Sequence, residues 1–213
     1  MQLIGMLDSP YVRRVAISLQ VLGLRFEHRS LSVFRTFAEF RHINPVVKAP
    51  TLVCDDGEVL MDSTLILEYA EALAAPRSLM PTRVSARQHA LRVIGLALAA
   101  CEKSVQLIYE RTLRPAERVH EPWVTRVTAQ LLAAYTELEA ELRRAPLAAT
   151  GAAIDQAGIS TAVAWYFTQT TLPGTVDPAA HPMLHEHSSR AERLPPFRAA
   201  PHGDGTFQQA LRA

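Results

Sequence analysis

Apolar and polar positions follow two rhythms along this chain. Over the first third, apolar runs of strand length alternate with stretches of helical spacing; beyond Pro76 almost everything repeats as helix. Leu3 to Leu7 predicts a short buried strand. Asp8-Ser9-Pro10 then breaks the pattern, because Ser can cap a helix and Pro fits its first position. Val12, Val15, Ala16, Leu19 and Leu22 follow at helical spacing, and Gly23 ends that helix as a left-handed cap. Phe26 to Leu31 predicts a strand, and Thr36 to Ile43 a short helix stopped by Asn44-Pro45. Thr51 to Cys54 and Val59 to Met61 flank Asp55-Asp56-Gly57, a hairpin signal. Ser63 opens another helix with Ile66, Tyr69, Ala70 and Leu73 on one face.

The predicted order is βαβαββα. A β-α-β start implies a parallel pair with a right-handed crossover, and the hairpin adds antiparallel strands. This is the order of a thioredoxin-like α/β fold. Leu79-Met80-Pro81-Thr82 reads as a linker. Beyond it, helices are expected over Ser85 to Glu110, Pro122 to Arg144, from a cap at Asp155 to about Gln169, and over Met183 to Arg193. Val124, Val127, Leu131, Leu138 and Leu142 mark the buried stripe of the second. The tail after Leu194, with its prolines and glycines, is expected to be irregular. The division is thus residues 1–78 as a thioredoxin-like domain and residues 84–213 as an all-α helical bundle domain.

Composition narrows the function classes. The chain has 213 residues, room for one large or two small domains, and 48% of them are apolar, enough for a real core. A net charge of +1 gives no reason to expect nucleic acid or an anionic membrane as partner. Cys54 and Cys101 lie far apart and form no CxxC, which argues against a disulfide framework or zinc site and fits a reducing compartment. The longest apolar run, Val93 to Cys101, is too short to span a bilayer, and the N-terminal residues lack a signal-peptide pattern. A cytoplasmic location is expected.

Four local features, in this order and spacing along residues 1–82, carry a resemblance. They are Ser9-Pro10-Tyr11-Val12-Arg13-Arg14; Asn44-Pro45 with Lys48-Ala49-Pro50-Thr51-Leu52; Asp62-Ser63 with Ile66 and Tyr69; and Leu79-Met80-Pro81. Together with the helical second half, they resemble the cytosolic glutathione transferases, in the serine-type active-site form. The resemblance implies glutathione as co-substrate, a small hydrophobic electrophile as partner, no metal, and a two-fold homodimer. One departure stands in the helical half. The family usually opens its sixth helix with Ser or Thr followed three residues later by Asp, a buried capping box. Here the stretch is Asp155-Gln156-Ala157-Gly158, so one reciprocal hydrogen bond is lost and Gly costs up to about 1 kcal/mol relative to Ala.

The chemistry each position can supply follows from its residue type. Glutathione attacks as a thiolate. Lowering a thiol pKa of roughly 8.5 by two units needs about 2.7 kcal/mol of preferential thiolate stabilisation. Ser9 offers a hydroxyl donor beside the partial positive charge of a helix start, although an N-cap alone would also explain it. Tyr11 is a rival hydroxyl that the family pattern treats as structural. Disulfide-reducing relatives place cysteine where Ser9 stands; serine cannot form a mixed disulfide. Pro50 is expected to be cis, an arrangement that in the family turns the preceding backbone, here Ala49, onto the cysteinyl unit of glutathione. Asp62 and Ser63 open a helix, an anion site for the γ-glutamyl end, with Asp62 facing its ammonium. Lys48 would pair with the glycyl carboxylate, and Phe34 and Arg35 would border it.

The electrophile is expected between the two domains, where Leu7, Tyr11, Tyr109 and Trp165 are possible walls, with ordinary core as the plainer explanation. Cys101, Glu102, Val105 and Tyr109 recur at helical spacing there. Cys54 and Cys101 read as packing residues. His181, His185 and His187 form H-x3-H-x-H but lack a thiol partner, so a solvated helix is expected rather than a metal site. The Ser9-Pro10 start differs from the Ser-Ser-Cys start of maleylacetoacetate isomerases. The competing reading is a non-catalytic binding or interaction protein of the same fold.

Overall fold

A computed structural model describes residues 1–150 and 153–207. The chain forms two units: Met1–Leu79 together with the segment from Arg193 onward, and Met80–Glu192. The segment that follows the last long helix thus groups with the first unit.

In the first unit, β1 (Gln2–Ile4), α1 (Pro10–Val21), β2 (Glu27–Arg29), α2 (Phe37–Ile43), β3 (Thr51–Val53), β4 (Val59–Met61) and α3 (Ser63–Ala74) follow the predicted order. The sheet runs β2-β1-β3-β4, with β1 parallel to β2 and antiparallel to β3, and β3 antiparallel to β4. Leu3 pairs with Leu52 across the centre, and both are fully buried. Strand β1 ends earlier than the apolar pattern predicts, because Gly5 turns the chain immediately after Ile4. Its φ of +135° suits glycine, and a Cβ there would lie 2.6 Å from Val12 Cγ2 and 3.1 Å from Ala49 Cβ. Gly5 therefore lets the first turn of α1 and the Ala49 loop close on the end of β1.

Helix α1 is buried on nearly every side and packs against α3. The tail supplies the other cover. It contains a short helix, α8 (Pro195–Ala199), where irregular chain was expected. Phe197 is fully buried, the Arg13 guanidinium lies 5.7 Å from its ring centre, and Arg13 Nε donates to the Ala200 carbonyl at 2.8 Å. Farther on, Phe207 stacks on Phe26 at 4.6 Å and its N–H donates to His28 Nδ1 at 2.9 Å. With Nδ1 accepting, Nε2 carries the proton and donates to the Gly5 carbonyl at 2.7 Å. Burial holds the His28 pKa below its ordinary value, against the opposing pull of that carbonyl.

The second unit holds α4 (Val84–Thr112), α5 (Glu121–Arg144), α6 (Gln156–Thr171) and α7 (Pro182–Ala191), with single 3-10 turns at Ala116–Arg118 and Pro178–Ala180. Helix α6 is the buried centre, flanked by α4 and α7. Thr168 of α6 is bonded from two neighbouring helices: Tyr135 O–H and Ser104 both meet its Oγ1, at 2.6 and 2.7 Å. Asp155 caps α6 with a 2.8 Å bond from the Gly158 N–H. Gly158 stands where close packing favours it, since a Cβ would meet Ile154 Cγ1 at 3.1 Å and the Ala148 carbonyl at 3.3 Å. The Gly158 carbonyl in turn pairs with His187 Nε2 at 3.0 Å.

The three histidines of H-x3-H-x-H do not form a solvated face. His181 and His187 are buried and each pairs with a backbone carbonyl, that of Asp177 and that of Gly158; only His185 is exposed. Tertiary packing of α7 on α5 and α6 overrides the polar reading of the local sequence. Buried Glu139 of α5 accepts from the Met183 and Leu184 amides, completing the start of α7 from a neighbouring helix.

Candidate functional site

The start of α1 carries the first candidate. Ser9 has extended backbone angles (φ −73°, ψ 124°), and Pro10 enters the helix behind it. The Val12 N–H points at Ser9 Oγ from 3.4 Å, longer than an ordinary N–H···O bond. The first turn contains no acidic side chain to neutralise the partial positive charge of the helix start. Ser9 is half-buried, so its hydroxyl is neither fully engaged as a cap nor sealed in the core.

The second group lies on the loop between α2 and β3. Asn44 Nδ2 donates to Thr51 Oγ1 at 2.8 Å, and that hydroxyl donates to the Lys48 carbonyl at 2.7 Å. Asn44 Oδ1 accepts from the Val46 N–H at 3.0 Å. These bonds clamp the ends of the loop. Between them Val47 has φ +53°, a costly conformation for a β-branched residue, and the Ala49–Pro50 peptide bond is cis, as expected. Lys48 is exposed, whereas Pro50 is buried.

The third group opens α3. Asp62 has φ +74° and ψ 125°, and its Oδ1 accepts from the Thr64 N–H at 2.9 Å. Its other oxygen lies 3.7 Å from Lys48 Nζ; both side chains are about half exposed, so the pair adds little stability. Ser63 is buried, and Arg14 Nη1 donates to its Oγ at 3.1 Å and approaches Thr64 Oγ1 at 3.3 Å.

A run of contacts therefore joins Ser9, the Lys48-Ala49-Pro50 loop, Asp62 and Ser63. Ser9 meets Val12; Val12 and Ala49 both close on Gly5; Lys48 meets Asp62; and Ser63 is tied back to α1 through Arg14. Sequence reasoning passed over Arg14 and Asn44 as site-builders. A signal for Arg14 was present: Pro10, Arg13, Arg14 and Ile17 form a stripe at helical spacing, and two arginines inside it need buried partners. Of the possible wall residues, Leu7 and Trp165 are buried, Trp165 packing edge-on against Tyr135 at 5.2 Å, while Tyr109 is exposed. Cys54 and Cys101 are buried and neither is in a disulfide, and burial pushes the Cys54 thiol up. Among the described residues, no cluster of three or more His, Cys, Asp or Glu side chains is placed to hold a metal ion. Likewise none of their helices is long and apolar enough to cross a membrane.

Comparison with solved structures places this arrangement. A glutathione transferase family member from Pseudomonas fluorescens Pf-5, with bound S-(propanoic acid)-glutathione, is 30% identical; the match covers 94% of this chain and 98% of that one, with a TM-score of 0.78. The chain belongs to the glutathione transferase family. The family model for the glutathione S-transferase N-terminal domain matches residues 3–78. The GST-like protein YibF of Escherichia coli K12 is 25% identical to this family member over 174 residues, 82% of this chain and 86% of its own. A probable maleylacetoacetate isomerase of Caenorhabditis elegans is 34% identical over 89 residues, 41% of each chain. Relatives of this glutathione transferase family member thus include an isomerase as well as transferases.

Proposed function

We propose that this protein is a glutathione transferase that binds glutathione on its N-terminal unit and activates the thiol at Ser9 for attack on a hydrophobic electrophile. The observation that carries the reading is the Ser9 hydroxyl, held at a helix start with the Val12 amide that it caps as far away as 3.4 Å. A hydroxyl so lightly used can turn its proton outward to a thiolate without breaking a strong bond. Around it, the backbone of Ala49 at the cis Pro50 receives the cysteinyl unit. Ser63 and the first amides of α3 receive the γ-glutamyl carboxylate, Asp62 its ammonium, and Lys48 the glycyl carboxylate. The Pseudomonas fluorescens Pf-5 family member, solved with S-(propanoic acid)-glutathione at 30% identity and with glutathione at 29%, supports this assignment.

The thiol proton leaves to solvent, and the Ser9 O–H and the α1 amides hold the resulting thiolate. Its sulfur forms a bond to an electrophilic carbon; either that carbon's bond to a leaving group breaks, or its π bond to the neighbouring atom breaks and that neighbour takes up a proton from solvent. No metal enters this scheme. A two-fold homodimer in the cytoplasm belongs to the same reading. The test is an ultraviolet titration of the thiolate of bound glutathione in the native protein and in Ser9→Ala, with conjugation of an aryl halide followed in parallel. A thiol pKa well below that of free glutathione, restored towards it in Ser9→Ala, is expected; the same unshifted pKa in both removes Ser9 from the mechanism.

Glutathione-dependent isomerisation is the second reading, favoured by the match to a probable maleylacetoacetate isomerase. It uses the same thiolate, which adds to a cis alkene and is expelled after bond rotation. Turnover of maleyl-type substrates without net glutathione consumption would select it over conjugation. Binding of glutathione with neither activity would select a carrier.

A further inference from the structure

Arg14 does something at the start of α3 that capping does not require. Asp62 already caps that helix through the Thr64 amide at 2.9 Å. Yet Nη1 of a guanidinium only 2% exposed donates to the hydroxyl next to it, Ser63 Oγ at 3.1 Å, with Thr64 Oγ1 at 3.3 Å. Burying a charge is expensive, so its geometry is tightly determined by what it bonds.

The chemistry of the two groups fixes a direction. A guanidinium has donors only and stays charged at all accessible pH values. A serine hydroxyl has one donor and two acceptor lone pairs. With Arg14 donating, Ser63 Oγ accepts on that side, and its own proton is left to point elsewhere. The positive charge behind the oxygen also polarises the O–H bond and makes it a stronger donor. Ser63 itself is 4% exposed and sits at the positive end of α3.

We propose that Arg14 is a positioning residue that orients the Ser63 hydroxyl as an obligate donor to the α-carboxylate of the γ-glutamyl group. The proposal rests on the placing of that carboxylate at Ser63 given above. Arg14 acts through Ser63 and leaves the sulfur chemistry at Ser9 alone. It therefore governs affinity for one end of the peptide and not the thiolate.

The experiment compares two ligands by calorimetry: glutathione, and 4-aminobutyryl-cysteinylglycine, which lacks only that carboxylate. Native protein is expected to bind glutathione at least about tenfold more tightly, the size of one charge-assisted hydrogen bond. Arg14→Met should lose about tenfold for glutathione and less than about threefold for the analogue. KM for glutathione should rise while kcat at saturation and the thiol pKa of the bound peptide hold. Arg14→Lys keeps a charged donor on a shorter-reaching group and should restore part of the discrimination between the ligands. Equal losses for both ligands in Arg14→Met, or in Arg14→Lys where the first variant does not fold, would show a purely structural arginine and overturn the proposal. Equal affinity of the native protein for both ligands would overturn instead the placing of the carboxylate at Ser63, and the proposal with it.

Discussion

The two units start comparable helices in opposite ways. In the second unit, Asp155 caps α6 at 2.8 Å, with His187 bonded to the carbonyl of the same Gly158 whose amide it caps. In the first, Ser9 stands at the start of α1 with the Val12 amide 3.4 Å from its hydroxyl. The contrast extends to the backbone. Among the described residues, the non-glycine positions with positive φ are Val47 and Asp62, both in the first unit and both beside candidate ligand-binding residues. Strain of this kind persists only where the surroundings impose it. The loosely bonded cap and the two costly backbone conformations thus all lie in the unit that carries the candidate site.

The sharpest way to break that comparison is to delete both caps. Ser9→Ala should lower kcat/KM for conjugation about a hundredfold, the effect of removing one donor to a developing anion. Its stability to urea should change by less than about 0.5 kcal/mol, because a 3.4 Å cap contributes little. Asp155→Ala should do the reverse, costing about 1–2 kcal/mol in urea unfolding with activity per folded molecule intact. If Ser9→Ala proves the more destabilising of the two, Ser9 is a cap and the contrast between the units disappears.

Acid tests the buried histidines on both sides. Burial lowers the pKa of His28 and of His187 from the ordinary 6.5, while their carbonyl partners pull the other way. In the window between the depressed native value and 6.5, the unfolded chain binds more protons than the folded one. Stability should thus be fully present above about pH 6.5 and fall as pH drops through that window. His28→Asn and His187→Asn should each flatten the slope in thermal melts taken across this range; an unchanged slope in both would place the titration elsewhere.

The smallest expected effect is at Val47. Val47→Gly relieves a left-handed conformation costing about 1–2 kcal/mol, against about 0.5–1 kcal/mol of added chain entropy. A gain of up to about 1 kcal/mol in urea unfolding is expected, with KM for glutathione raised slightly as the Lys48-Ala49 loop loosens. A loss of stability would mean the valine side chain contributes more packing than its backbone costs.

Much of the first unit was legible from pattern because its signals are local. Ser9-Pro10, Asn44-Pro45 and Asp55-Asp56-Gly57 each punctuate the chain through the backbone geometry their own side chains favour. Two features misled. Polar composition around His181 and His187 suggested solvent, yet α7 packs on neighbours that bury both rings. Proline and glycine in the tail suggested irregular chain, but Pro195 and Pro196 begin α8, whose Phe197 fills a gap beside α1.

From the sequence alone came the βαβαββα order, the helical second half, and the positions where the chain must turn or cap, since these follow from periodicity and from side chains acting on their own backbone. Tertiary structure alone decided that Arg14 reaches Ser63, 49 residues away, that His28 receives the Phe207 amide, and that Glu139 completes α7. Those bonds join groups that no local rule brings together. They exist because folding buries each polar atom beside whichever partner the packed elements deliver, and leaving it without one would cost more than ordering the pair.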